Sequence, residues 1–115
     1  MLLLLLGLMA SSAARMGGLG AKQRVNLGEE ADHQGLFAVL AHEDVSSAIN
    51  KLSDLPLRAV EYQTQVVAGI KYVVQLYNEE GEHFELHIWQ KPFNSRDNVM
   101  PAPTVIKAEK IEEDL

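Results

Sequence analysis

Apolar residues recur at three- and four-residue steps over residues 35–52, at Phe37, Leu40, Ala41, Val45, Ala48, Ile49 and Leu52. Glu43, Asp44, Ser46, Ser47, Asn50 and Lys51 fall largely on the other side. That period predicts one amphipathic helix of about four to five turns. Asp32 stands upstream as an acceptor for its first amides, and Ser53-Asp54-Leu55-Pro56 ends it, because proline cannot continue a helix. A single apolar stripe needs a partner surface.

The rest of the chain supplies that surface as strands. Residues 57–67 alternate, with Ala59, Glu61, Gln63 and Gln65 opposed to Val60, Tyr62 and Val66. Residues 70–77 are rich in β-branched and aromatic side chains, and Asn78-Glu79-Glu80-Gly81 reads as a turn with glycine available for a positive φ. Residues 83–91 alternate again, with Phe84, Leu86 and Ile88 on one face and Glu85, His87 and Trp89 on the other. A last strand is expected over 104–109, after Met100-Pro101-Ala102-Pro103, and the acidic end from Glu109 is expected to fray. Before the helix, residues 15–32 read as an extended arm, with a short strand near Val25 and Leu27. One helix ahead of closely spaced strands implies an α+β domain, with a long helix packed across a four- to five-stranded antiparallel meander.

The first residues change the picture of compartment. Leu2 to Leu6, Gly7, Leu8 and Met9 precede Ala10-Ser11-Ser12-Ala13-Ala14. The run is shorter than the roughly 20 residues of a spanning helix, but it matches a signal-peptide core with cleavage after Ala14. Residues 1–14 are therefore expected to be a signal peptide, the other reading being an apolar tail. Their removal from 115 residues leaves a single domain, 15–115, of 101 residues in the secretory pathway, a vacuolar lumen or outside the cell.

Ten basic against sixteen acidic side chains give a net charge of −6, which repels phosphate backbones and argues against nucleic-acid binding. Cysteine is absent, which excludes disulfides, thiolate metal sites and a cysteine nucleophile. Serines at 11, 12, 46 and 47 lack a histidine–carboxylate arrangement, and Gly17, Gly18 and Gly20 do not form a phosphate loop. No enzymatic activity and no cofactor are expected. His83, Glu85 and His87 project to one strand face, but a flat solvated face favours no metal. His33 and His42 stand apart, without evident partners.

Three features point to binding. Gln65-Val66-Val67-Ala68-Gly69 lies between two strands, where a polar tip is usual, and its small apolar residues suit insertion into a narrow cleft. Alternatively, one or both valines belong to the strands. Pro92-Phe93 closes the next strand, and antiparallel order returns it to the same end of the sheet. Phe93 either presents its ring there or folds into the core. Gly17-Gly18 lets the arm approach another surface closely, or marks flexibility alone.

Together these residues resemble the cystatin family of cysteine-protease inhibitors, over about residues 17–110. Phe37-Ala38-Val39 is similar to the centre of the plant cystatin helix signature, and the lack of cysteine agrees with the plant type. Leu36 stands where that signature carries arginine, and Phe93 where the usual pair has tryptophan. The resemblance implies a wedge of Met16, Gly17, Gly18, Gln65, Val66, Val67, Ala68, Gly69, Pro92 and Phe93 entering the cleft of papain-like proteases. Met16 is then directed to the apolar S2 pocket, and inhibition is reversible and competitive. The expected partner is a papain-like cysteine protease, with no nucleic acid and, once the leader is gone, no membrane. The expected state is a monomer, with strand exchange between two copies left open. A non-inhibitory binding module on the same fold, signalled by an exposed Trp89, is the alternative, and a storage role a further one.

Overall fold

The computed structural model describes residues 18–112. The expected signal peptide, Met16, Gly17 and the last three residues lie outside them. The described chain runs as β1 (Gln23–Arg24), a 3-10 turn (Glu30–His33), α1 (Gln34–Leu40), α2 (Glu43–Leu52), β2 (Arg58–Val67), β3 (Gly69–Tyr77), β4 (His83–Gln90) and β5 (Thr104–Ile111). The strands form one five-stranded sheet in sequence order, and every pairing is antiparallel. The α+β meander is thus as expected.

The single long helix is not: two short helices replace it. His42 is extended at ψ 140°, which interrupts the helical ladder, and its ring Nδ1 accepts the amide hydrogen of Asp44 at 3.2 Å. His42 thereby caps a new helix whose first turn carries Glu43 and Asp44, where acids favour the positive end of the helix dipole. Asp32 does not cap: it lies inside the 3-10 turn, and α1 begins after His33 without a side-chain cap. The break also re-aims the apolar stripe. Leu36 and Val39 are buried while Phe37 and Leu40 pack at the margin and Ala41 is exposed. Beyond Leu52 the chain stops as expected, with the Ser53 hydroxyl accepting from the Leu55 amide.

The core lies between the helices and one sheet face. Leu36, Val39 and Val45 meet Ala59, Tyr62, Tyr72, Val74, Leu76, Phe84, Leu86 and Ile88. Each fully buried aliphatic side chain contributes about 1.5–3 kcal/mol relative to exposure. Ala59 belongs to this face, contrary to simple alternation. Ala59 faces Leu76 and Glu61 faces Gln75, so Val60 is an extra residue, a bulge that shifts the pleat by one. A second irregularity between His87 and Ile88 leaves Ile106 exposed on β5.

Other expectations need adjustment. The first strand precedes Val25, which is buried, whereas Leu27 is exposed. The end does not fray at Glu109: β5 stays paired through Ile111, opposite His83, and Lys110 meets Glu82 at 2.8 Å. The turn after β3 has Gly81 at φ 80°, as expected, and it is organised by buried Asn78. The Asn78 carbonyl oxygen accepts from the Glu80 and Glu82 amides, while its NH2 donates to Ser53 and Glu82.

Candidate binding edge

The hairpin of β2 and β3 projects from the sheet with Val66 opposite Ile70 and Val67 opposite Gly69, leaving Ala68 at its tip. Both valines are therefore strand residues, yet they remain 56% and 43% exposed. The two readings of this segment are thus compatible, because the strands continue past the layer covered by helices. Gly69 closes the bend at φ 98°, a conformation open to glycine and strained for other residues.

The next loop lies directly against this tip. A Cβ at Gly69 would collide with the Gln90 carbonyl oxygen and sit 3.0 Å from Lys91 Cα and Pro92 N. The Trp89 indole N–H donates to the Ala68 carbonyl oxygen at 2.8 Å, joining β4 to the hairpin tip. Lys91 lies over the same ring, its ammonium nitrogen 5.5 Å from the centroid. Trp89 is consequently half-buried and engaged on its N–H and its face, rather than presented as an open platform.

Pro92 and Phe93 follow immediately, and Phe93 is 51% exposed, so its ring does not fold into the core. The loop is structured beyond them. Asn94 and Val99 exchange two backbone hydrogen bonds, at 3.1 and 3.2 Å, and the Asn94 side-chain oxygen accepts from the Arg96 and Asp97 amides. Asn98 completes the bend at φ 54°. Gln90 donates to the Pro101 carbonyl at 2.8 Å and so binds the returning leg to the outgoing one. A shallow groove of about 680 Å³ runs along this loop between Trp89, Phe93 and Arg96.

The arm approaches the same end. Gln23 faces Tyr62 and Arg24 faces Glu61, so each step toward the N-terminus moves one residue along β2 toward Val67. Gly20 donates to the Thr64 carbonyl at 2.7 Å, and its carbonyl accepts from the Gln63 side chain. A Cβ at Gly20 would lie 3.3 Å from that Thr64 oxygen, so the arm packs closely on β2 at Gly20. Gly18, two residues further out, is exposed.

Among the expected contact residues, Gln65, Val66, Val67, Ala68, Gly69, Pro92 and Phe93 are thus gathered at one edge. Sequence reasoning missed the clamp from Trp89, the Asn94-organised turn, and the exposed Val99 and Met100 beside it. The Asn94-Ser95-Arg96-Asp97 string, rich in turn-forming side chains, was the available signal for that turn.

The outer sheet face is occupied with its own bonds. His87 Nε2 pairs with Glu85 at 2.8 Å, Gln75 donates to the other Glu85 oxygen, and His83 bonds Gln75 while stacking on Tyr77. The bond from His87 is the main reason that the Glu85 carboxyl sits below its ordinary range. Among the described residues no group of three or more histidine and carboxylate side chains is placed to hold a metal ion. His33 and His42 do have partners: His33 Nδ1 meets the Tyr62 hydroxyl at 2.8 Å, and His42 caps α2. Among the described residues no helix is long and apolar enough to cross a membrane.

Comparison with protein-family models and with curated proteins finds no match to this chain.

Proposed function

We propose that this chain is a reversible, competitive inhibitor of papain-like cysteine proteases, acting in the manner of a cystatin. The observation carrying the reading is the contact between the Gln65-to-Gly69 hairpin and the Pro92-Phe93 loop. Small apolar side chains stand exposed on one stiff edge there. Helices packed on one face of a five-stranded meander agree with a cystatin-like arrangement, the split helix being a departure from it.

The mechanism is occlusion. Val66, Val67 and Phe93 enter the cleft and displace water from its apolar walls, while the arm around Gly18 lies alongside, with Met16 and Gly17 extending it toward S2. The bonds from Trp89 and Gln90 hold the tips in place before docking, so little conformational freedom is lost. An interface of about 1,600 Å² is then enough for tight binding. A wedge that covers the reactive cysteine without offering it a peptide carbonyl is not cleaved, and it leaves intact. The expected site of action is extracellular or in a secretory lumen.

The test is a titration of residues 15–115 against papain with a fluorogenic peptide. Competitive inhibition, with the inhibitor recovered intact, supports the reading. Full protease activity at micromolar protein overturns it.

A further inference from the structure

We propose that Met100 is a second apolar contact residue of this edge, paired with Phe93, so that the two side chains together form one apolar surface across the legs of the loop. The proposal rests on the inhibitor reading and extends it to a residue that the resemblance does not supply.

The geometry comes from the two legs of the loop. Asn94 and Val99 exchange both backbone bonds, which makes them a hydrogen-bonded antiparallel pair. One step from that pair toward the sheet, continued antiparallel order places Phe93 opposite Met100 as a non-hydrogen-bonded pair, the arrangement in which facing side chains come closest. The legs are held together again just beyond, where Gln90 donates to the Pro101 carbonyl. Phe93 and Met100 thus lie between two clamps, 51% and 57% exposed. Two large apolar side chains held out in water by a structured turn gain nothing from the protein's own core. Their contact area becomes useful when a partner covers it. A thioether beside an aromatic ring is also a favourable pair, and methionine adapts its shape to irregular surfaces.

The pair is broader and more pliable than one indole. It suits a broad apolar hollow on the partner rather than a slot for a single flat ring.

The variants Met100→Ala, Met100→Leu, Phe93→Ala and the double alanine are compared with the parent against papain, with thermal midpoints recorded. Leu27→Ala, a large exposed apolar residue outside the edge, serves as control. Met100→Ala is expected to raise the inhibition constant about five- to tenfold. Met100→Leu stays within about twofold, because volume is conserved. Leu27→Ala has no effect, the midpoints are unchanged, and the double variant loses less than the product of the single losses. A parent that inhibits while Met100→Ala inhibits equally well overturns the role of Met100 and leaves the inhibitor reading intact. A parent that does not inhibit overturns both. Nuclear Overhauser contacts between the Met100 methyl and the Phe93 ring in the free protein test the pairing independently, and their absence overturns it.

Discussion

The indole N–H of Trp89 donates to the carbonyl oxygen of Ala68 at 2.8 Å, across 21 residues of chain. A side chain of the central sheet thereby holds the outermost turn of its neighbouring hairpin. Trp89→Phe keeps most of the ring and removes the donor. It is expected to cost about 1 kcal/mol of stability, the net value of a typical hydrogen bond. Amide exchange at residues 68–70 should quicken more than exchange in the sheet centre, and papain inhibition should weaken several-fold. Uniform exchange across the sheet would count against a local role for this bond.

Gly69 is constrained twice, by φ 98° and by the Gln90-to-Pro92 backbone where a Cβ would sit. Gly69→Ala is expected to lose about 1–3 kcal/mol from backbone strain alone, with the collision adding to it. Urea denaturation measures the loss, and the two loops must separate, so inhibition should fall further than stability does. By contrast, Gly28→Ala meets open space at a positive φ, and should cost stability without affecting inhibition.

Phe93→Trp enlarges the exposed ring. About 40 Å² of added apolar contact at about 25 cal/mol per Å² is roughly 1 kcal/mol, or about five- to tenfold in affinity. Tighter inhibition of papain is the expected result; unchanged or weaker inhibition would show that position 93 does not face the protease.

Asn78 is a buried polar side chain whose amide serves four bonds. Asn78→Ala strands the Glu80 and Glu82 amides and is expected to cost about 1–3 kcal/mol. Because the turn lies at the end of the sheet opposite the binding edge, inhibition by the folded variant should be unchanged.

Acid should weaken the fold through two carboxylates. The hydrogen bond from His87 chiefly lowers Glu85, and that from Lys110, followed by Asn78, lowers Glu82, both from an ordinary value of 4.5. A carboxyl lowered in the folded state contributes stability above its unfolded pKa, and that contribution disappears as pH falls through the folded pKa. Urea midpoints should therefore drop as pH falls below 4.5, and Glu82→Gln with Glu85→Gln should flatten that limb. Tyr62 and Tyr72 act on the alkaline side. Burial raises both above 10.0, so stability should fall as pH rises past that value toward their folded pKa values.

Much of this protein was legible in its pattern. The alternation of Phe84, Leu86 and Ile88 against Glu85, His87 and Trp89 defined both faces of β4, and Gly81 marked its turn. The pattern conceals the helix break because the step from Ala41 to Val45 still fits a helical period across it. The capping histidine followed by Glu43 and Asp44 was the contrary signal. Alternation puts Ala59 on the wrong face because it assumes an unbroken pleat, and a bulge leaves little trace in composition.

The sequence alone determined the element types, the antiparallel order implied by short connections, and which residues could sit at hairpin tips. These follow from local periodicity and turn chemistry, which act over a few residues. Tertiary structure alone decided that the valine hairpin touches the Pro92 loop, that Trp89 holds Ala68 while Lys91 covers its ring, and that Asn94 and Val99 close the following loop with two backbone bonds. Those relations depend on register and close packing between distant segments, where a shift of one residue sends a side chain to the opposite face.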